Sequence, residues 1–315
     1  MSEFFIELFS EEIPANLQNK TRQDFFQNLK EFLEKEDIKY SGEATAFSIP
    51  NRLIIYFQNI SKKITKKENE IRGPNINAPK DALNGFLKSY KISLDKTYKK
   101  KTDKGEFYFF KKPSEIIETK FVLQKNLPKI LDKTSWKKSM RWADHELYWG
   151  RPLKSILCCF DNKTLEFVYH HLVSSNITFI DKDFEQKTKK FVRFKDYLAF
   201  FKSQNIILDN KKREQFIVDQ LNRIAKKENL KIHFNSNLLN EVTNIVEKPN
   251  IIKCRFNKRF LEIPDDILVT TMQVHQKYFP TFDNRDNLTN NFFLVADNKD
   301  SKGLIKIGNE NVVEA

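Results

Sequence analysis

Residues 137–151 bring together basic and aromatic side chains that could hold a nucleic acid. The candidates for nucleic-acid binding are Lys137, Lys138, Arg141, Trp142, Trp149 and Arg151, with Tyr148 lying among them. A guanidinium group suits phosphate because it donates two parallel hydrogen bonds to one anion, and an aromatic ring can stack on an unpaired base. The same pattern has a structural interpretation, in which the rings belong to the core and the arginines brace a neighbouring loop.

The positive charge of the chain is concentrated around this stretch. The 315 residues carry 55 Lys and Arg against 42 Asp and Glu, which gives a formal net charge of +13. Residues 96–155 alone hold sixteen basic and seven acidic residues, whereas residues 1–40 hold five basic and nine acidic ones. A basic region of this kind favours a polyanionic partner, and a solvated lysine-rich surface is the alternative.

Motifs for other chemistry are missing from the sequence. No two of the seven glycines have Gly-x-Gly spacing, so there is neither a dinucleotide-binding fingerprint nor a phosphate-binding P-loop. The three cysteines form no disulfide framework and no CxxC metal pair. His170 and His171 are adjacent, and neighbours on a strand point to opposite faces, which disfavours a shared metal ion. We therefore predict no catalytic residue, no metal site and no cofactor in this chain.

The sequence also predicts a cytoplasmic protein without a membrane partner. It has no run of the roughly 20 apolar residues that a membrane-spanning helix needs. Its acidic beginning, MSEFFIELFSEE, is unlike a signal peptide. The few cysteines are typical of a reducing compartment, where they act as small buried apolar residues.

Hydrophobic periodicity predicts an α+β fold with short strands and amphipathic helices. Strands are expected at 4–9, 52–57, 105–110, 155–160 and 251–256. Helices are expected at 16–36, 114–131, 209–230, 236–249 and 264–273, and a hairpin at 277–297. Ser114 is the expected N-cap of the second helix, which Pro128 would bend or interrupt. We expect one region at 1–190, with the basic stretch 96–155, and a second at 191–315; a single composite domain is the alternative.

A series of ordered motifs resembles one known family. The chain is similar to the N-terminal part of the beta subunit of bacterial heterotetrameric glycyl-tRNA synthetase, and the likeness covers essentially all 315 residues. The matching stretches, in chain order, are FFIELFSEEIP, IPNRLIIYF, IRGPNINAP, TDKGEFYFF, SMRWADHELYWGRP, the long run from EVTNIVEKPN to QKYFPTFD, NFFLVAD and GNENVV. Single motifs of this size recur by chance, but an ordered series of them does not.

The resemblance implies a division of labour between two kinds of subunit. In this family the alpha subunit carries the active site that uses ATP, with Mg²⁺, to activate glycine, and the beta subunit contributes tRNA binding and assembly into an α2β2 tetramer. The N-terminal region of the family is similar to the B3/B4 module of phenylalanyl-tRNA synthetase. The resemblance thus implies an enzyme subunit whose partners are the alpha subunit and tRNA(Gly).

The chain departs from the family pattern at two places. The family has a Gly-His-Arg-Phe element where this chain reads SSNITFIDKDFEQKTKKFVRF, so the role of that element is in doubt here. The family also continues beyond GNENVV into further helical and anticodon-binding domains, so we expect residues 305–315 to lack packing partners and to fray.

Two other functions are kept as alternatives to a subunit of glycine–tRNA ligase. One is a freestanding RNA-binding module, which would act without an alpha subunit. The other is an editing hydrolase for mischarged tRNA, which would need a hydrolytic group that the sequence does not display. Glycine is the smallest amino acid, so a pocket can exclude its competitors by size and the need for editing is weaker.

Overall fold

A computed structural model describes residues 2–180 and 187–315, and within them the chain is a mixed α+β protein with small antiparallel sheets. The strands are β1 (Glu3–Ser10), β2 (Ala44–Ile49), β3 (Arg52–Gln58), β4 (Lys63–Lys66), β5 (Asn69–Asn75), β6 (Thr97–Thr102), β7 (Gly105–Lys112), β8 (Glu115–Glu118), β9 (Leu153–Phe160), β10 (Lys163–Thr164), β11 (Val168–Tyr169), β12 (Leu172–Val173), β13 (Ile177–Phe179), β14 (Thr188–Lys190), β15 (Asn250–Arg255), β16 (Phe279–Phe282) and β17 (Leu288–Ala296). The α-helices are α1 (Ala15–Lys35), α2 (Lys80–Tyr90), α3 (Thr119–Asp132), α4 (Phe194–Ser203), α5 (Asn210–Lys227), α6 (Ser236–Ile245), α7 (Asp265–Thr270) and α8 (Leu304–Glu314). The α+β prediction is confirmed.

The first half is built on a five-stranded sheet in the order β10-β9-β1-β3-β2, whose pairs are antiparallel. Phe4 on β1 pairs with Phe57 on β3 and with Phe160 on β9. Helices α1 and α3 pack on one face of the sheet, and α4 packs on the other. Strand β1 is an almost unbroken apolar run because successive side chains enter two different cores.

The second half has a three-stranded antiparallel sheet in the order β15-β17-β16. Helices α5 and α6 pack on one face around Phe279 and Phe293. Helices α7 and α8 contribute to the core on the other face, around Cys254 and Phe292. Strands β16 and β17 form the hairpin that the sequence predicts at 277–297, so that prediction is confirmed.

Buried polar contacts join the two halves. Arg213 on α5 is fully buried and donates hydrogen bonds to the carbonyl oxygens of Ser48 on β2 (2.9 Å) and Thr243 on α6 (2.7 Å). Burial lowers the pKa of Arg213 to about 10, so the group stays charged at neutral pH. Gln18 on α1 donates to the carbonyl oxygen of Asn244, 2.7 Å away. The boundary near residue 190 stays a prediction, and α4, which follows it, belongs to the core of the first sheet.

Residues 69–112 form a small module of their own. Its sheet has the order β5-β7-β6, and α2 packs on β5. The module is inserted between β4 and β8, which pair with each other and form a two-stranded ribbon leading to the rest of the fold. None of the residues of α2 is fully buried.

Two of the predicted elements are wrong in part. Residues 115–118 form β8 and not the first turn of a helix, because Ile116 and Ile117 pair with β4, and β-branched residues favour strands. Helix α3 therefore starts at Thr119, Ser114 is not its cap, and Pro128 lies inside the helix. Helix α6 ends at Ile245, four residues earlier than predicted.

The expectation that residues 305–315 lack packing partners is also wrong. Helix α8 packs against β15. Its residues Ile305 and Val313 contact the core around Cys254 and Phe292. The carboxylate of Glu310 accepts a hydrogen bond from the backbone N–H of Arg255 (2.7 Å), and Tyr278 donates to Asn309 (2.5 Å).

Two expectations from the sequence concern a departure from the family pattern and membrane-spanning helices. Residues 181–186, inside the stretch where the Gly-His-Arg-Phe element is missing, lie outside the described residues. None of the helices in the described ranges combines the length and the apolar composition that spanning a bilayer requires.

Candidate nucleic-acid interface

The candidate residues lie on the loop between α3 and β9, which we call the basic loop (residues 133–152). Its middle is closed by an antiparallel bridge, in which Met140 and Trp149 exchange backbone hydrogen bonds of 2.8 and 3.1 Å. The chain reverses between them, and Ala143 adopts a left-handed conformation with φ of 46°. The bridge fixes which side chains of the loop point inward and which reach solvent.

Trp149 lies in the core, and our prediction that it binds nucleic acid is not supported. Its side chain is 1% exposed, and its ring meets Trp136 edge-on (centroids 5.1 Å apart, 61° between planes) and Tyr169 at 6.2 Å. Gly150 is needed beside this pair, because a Cβ there would lie 2.1 Å from a ring atom of Trp136. The ring of Trp149 is therefore closed to a base in this structure.

The cationic side chains of the basic loop remain on its outer surface. Lys137, Lys138 and Arg141 are exposed, and none of the three has an ion-pair partner among the described residues. Tyr148 is 63% exposed. Arg151 is half-buried and donates a hydrogen bond of 3.2 Å to the carbonyl oxygen of Gly150. Within the described residues, the three cations Lys137, Lys138 and Arg141 are therefore available to a ligand without the breaking of an ion pair.

Trp142 is half-buried and is held by two histidines. Its ring meets His145 at 6.2 Å and His171 at 5.8 Å, both edge-on, and the two imidazoles stack on each other with centroids 3.6 Å apart. Burial first, and then the nearby imidazoles of His145 and His170, lower the pKa of His171. These contacts fasten the tip of the basic loop to the turn between β11 and β12.

The prediction that His170 and His171 are neighbours on a strand is wrong. Both lie in the turn between β11 and β12. His170 has a φ of 50°, which belongs to a tight turn. Within residues 2–180 and 187–315 no group of three or more His, Cys, Asp or Glu side chains is arranged to hold a metal ion.

The side chains that could suggest catalysis have structural surroundings. Glu7 is fully buried and pairs with Arg52 at 3.0 Å, and it also accepts hydrogen bonds from Thr178 and Tyr197. Burial raises the pKa of the Cys159 thiol to about 12, so it stays protonated and is a poor nucleophile. Neither group is placed to attack a substrate.

The basic stretch 96–155 is divided between separate elements. Its first part forms β6 and β7 of the 69–112 module, its middle forms β8 and α3, and its last part forms the basic loop. The charge count along the chain predicts one surface, because it carries no information on the two-stranded ribbon that separates the module from the main sheet.

The sequence reasoning missed the polar side chains that fix these elements. Glu7 interrupts the apolar run FFIELF, and Arg52 directly precedes the apolar run LIIYF. The two are diagonal neighbours across β1 and β3, because Glu7 pairs with Ile54 and Arg52 pairs with Phe9. A charge inside an otherwise apolar strand was the available signal, because buried charges are normally paired. His145 gave no such signal, since its partner lies 26 residues away in the sequence.

The fold and the basic loop define a class of protein: an α+β protein with a buried tryptophan at the base of a loop whose lysines and arginines are exposed or half-buried. The sequence profile of the family described as "Glycyl-tRNA synthetase beta subunit" matches residues 4–315. The chain belongs to this family.

Curated relatives carry the same description. The chain is 35% identical to the "Glycine--tRNA ligase beta subunit" of Rickettsia felis, over 100% of this chain and 48% of the relative. It is 34% identical to that of Rickettsia akari and 35% identical to that of Rickettsia prowazekii, with 100% of this chain and 47% of each relative covered. The chain thus spans about half the length of these relatives.

Proposed function

We propose that the chain acts in the cytoplasm as the tRNA-binding and assembly component of glycine–tRNA ligase. The observation that carries this proposal is the family match across residues 4–315. The partners in the proposal are the alpha subunit, in an α2β2 tetramer, and tRNA(Gly). ATP and Mg²⁺ are used in this scheme by the alpha subunit, which would form the activated glycine, and the present chain supplies no catalytic residue.

The basic loop is the proposed tRNA contact within the described chain. Lys137, Lys138, Arg141 and Arg151 would contact phosphates, for which guanidinium and ammonium groups are the usual donors. Trp142, half-buried at the tip, could present one edge or face to an unpaired base. This role is supported by the lack of an ion-pair partner for these four cationic side chains among residues 2–180 and 187–315, since an ion-paired residue would first have to give up its partner to bind phosphate.

The central sheet with helices on both faces is the part that we propose to be similar to the B3/B4 module of phenylalanyl-tRNA synthetase. We do not propose that this chain has the editing function that such modules perform elsewhere. Glu7 is held by Arg52, and the buried cysteines keep their protons. A hydrolase would need an activated group facing solvent.

Co-purification tests the proposed function directly. The chain would be co-expressed with a glycyl-tRNA synthetase alpha subunit, isolated by a tag on the alpha subunit, and assayed for bound tRNA(Gly). We expect a complex of the two subunits that retains more tRNA than the alpha subunit alone. Failure to form any complex, while the isolated chain still binds RNA, would favour the freestanding module.

Two enzyme assays separate the remaining alternatives. The purified chain alone should not catalyse glycine-dependent exchange of pyrophosphate into ATP, because it lacks a phosphate-cradling glycine loop. It should also fail to release amino acids from mischarged tRNA. Robust exchange or deacylation by the isolated chain would contradict the proposed division of labour.

A further inference from the structure

The sheet of the 69–112 module has two different faces. Pairing places Arg72 opposite Phe109, Phe109 opposite Tyr98, and Lys100 opposite Phe107. Directly paired residues point to the same side, so these five side chains share one face. We call it the open face (Arg72, Tyr98, Lys100, Phe107 and Phe109).

The opposite face of this sheet is the one covered by α2. Tyr90 of the helix contacts Phe110, with ring centroids 6.3 Å apart. Phe86 lies against Gly73, where an added Cβ would be 2.9 Å from the ring. The helix therefore supplies hydrophobic packing for this face of the small sheet, and no residue of α2 is needed to cover the open face.

The open face consists of aromatic rings with cations over them. The Arg72 guanidinium carbon lies 3.5 Å from the centroid of the Phe107 ring. The Tyr98 ring stacks on Phe109 (centroids 6.1 Å apart, 28° between planes), and Lys100 Nζ lies 5.3 Å from the Phe109 centroid. Ring, ion-pair and hydrogen-bond contacts of these side chains lie within the module, among the residues that the structure describes.

One acidic residue orders this face. Glu70 accepts a hydrogen bond from the Tyr98 hydroxyl and pairs with Lys100 at 2.5 Å. Lys100 and Tyr98 together lower the pKa of Glu70, and the hydrogen bond to Glu70 raises the pKa of Tyr98 to about 12. The Tyr98 ring is thus held in place as a neutral phenol.

The accessible groups of the open face are a planar ring, which can stack on a base, and cationic groups, which can bind a phosphate. Phe109 is 7% exposed under Tyr98 and Lys100, whereas Arg72 and Lys100 are exposed. The outer surface is therefore made by the exposed side chains of Arg72 and Lys100 and by the half-buried Tyr98 ring, which stacks on Phe109. The Arg72 guanidinium and the Tyr98 ring are its planar groups. Both are flat groups on which a nucleobase can stack.

The charge of the module matches a polyanion. Residues 69–112 contain eleven Lys and Arg against five Asp and Glu, a net charge of +6 in a chain whose total is +13. Stacking groups set among cations are typical of proteins that bind single-stranded nucleic acids, because only unpaired bases expose their faces.

We propose that the open face binds single-stranded RNA, with bases stacked on Arg72 and Tyr98 and a phosphate near Lys100. The proposal extends the proposed function, in which the RNA is tRNA, but its residues are separate from the basic loop. An unpaired segment of tRNA and any other single-stranded RNA offer the same chemistry.

The test uses the full chain and a fluorescein-labelled, twelve-nucleotide oligouridylate, followed by fluorescence anisotropy. The test variant is Arg72→Glu with Lys100→Glu. The matched control is Lys99→Glu with Lys101→Glu, which makes the same change of charge on exposed lysines of β6 that point to the other side. We expect the test variant to bind at least about tenfold more weakly and the control at most about twofold.

A second variant tests stacking apart from charge. Tyr98→Ala should weaken binding roughly fivefold or more, because one base loses its platform, whereas Tyr98→Phe keeps the ring and should bind nearly normally. Circular dichroism would establish that each variant is folded. Equal weakening by the test and control pairs, or equal affinity for a duplex of the same length, would overturn the proposal.

Failure of this proposal can be told apart from failure of the proposed function. Glutamate substitutions at Arg141 and Arg151 on the basic loop leave the open face intact. If the unchanged chain binds tRNA, but binds the oligouridylate no more tightly than the Arg72→Glu, Lys100→Glu variant does, the open face is not an RNA site and the proposed function stands. If the oligouridylate binds the open face and the chain does not prefer tRNA(Gly) over other RNA, the ligase role fails and the open-face proposal stands.

Discussion

Alanine substitution of Trp142, at the tip of the basic loop, and of Trp149, at its base, should lower the free energy of unfolding by different amounts, because only Trp149 is fully buried. Trp149 is 1% exposed and packs against Trp136 and Tyr169. A buried tryptophan removes roughly 200 Å² from water, which corresponds to about 5 kcal/mol at about 25 cal/mol per Å². Trp149→Ala should therefore lower the free energy of unfolding by about 3–5 kcal/mol. Trp142 is half-buried, and Trp142→Ala should cost about 1–2 kcal/mol.

Urea denaturation followed by circular dichroism measures both effects, provided that the variants share one m value. Trp149→Phe is the matched control. The indole N–H of Trp149 has no hydrogen-bond partner among the described residues, so phenylalanine removes an unpaired buried donor and should cost only about 1–2 kcal/mol. A cost for Trp149→Ala no larger than that for Trp142→Ala would contradict the structural assignment of the two rings.

Two further predictions concern the buried ion pair and the stacked histidines. Arg52→Ala should cost about 3–5 kcal/mol in urea denaturation, because it leaves Glu7 buried without its cation. Lys111→Ala removes the exposed ion pair of Lys111 with Glu68 (3.5 Å) and should cost at most about 1 kcal/mol. Similar losses in the two variants would contradict this difference. Burial and neighbouring imidazoles lower the pKa of His171, so the unfolded chain binds more protons and stability should fall as the pH drops through about 6.5. The fall should be smaller in His171→Phe, and an NMR titration of His171 with an ordinary or raised pKa would exclude this cause.

The elements that sequence periodicity predicted best are those with long, regular patterns. Helix α1 and strands β1 and β3 follow directly from their apolar spacing. Residues 115–118 were assigned wrongly because four residues with two isoleucines fit a helix turn and a strand equally well. Only the pairing with β4, some 50 residues earlier in the chain, decides between them.

The candidate site could be located from the sequence but not divided into core and surface. Trp142 and Trp149 are alike in a sequence, and their burial depends on tertiary contacts with His171 and Tyr169, about 20 to 30 residues later. The charge of 96–155 was counted correctly, yet its distribution over the module and the basic loop depends on how β4 and β8 pair.

The open face could have been suspected from alternation alone. Strand β6 reads TYKKKT and strand β7 reads GEFYFFKK, and every second residue shares a face. The register between the strands was needed to show that Tyr98 lies beside Phe109 and Lys100 beside Phe107. A sequence cannot supply that register without the turn geometry that sets it.

The measurement that tests the central claim most directly is tRNA binding by the chain with Arg141→Glu and Arg151→Glu, over a range of salt concentrations. If the basic loop contacts phosphates, affinity should fall and the slope of log K against log salt should become shallower by roughly one to two, since each lost phosphate contact releases about one counterion less. Stability should change little, because Arg141 is exposed and the one side-chain hydrogen bond of Arg151 to a described residue is that to Gly150. Unchanged affinity and slope in a well-folded variant would contradict this account, because they would show that Arg141 and Arg151 are not phosphate contacts.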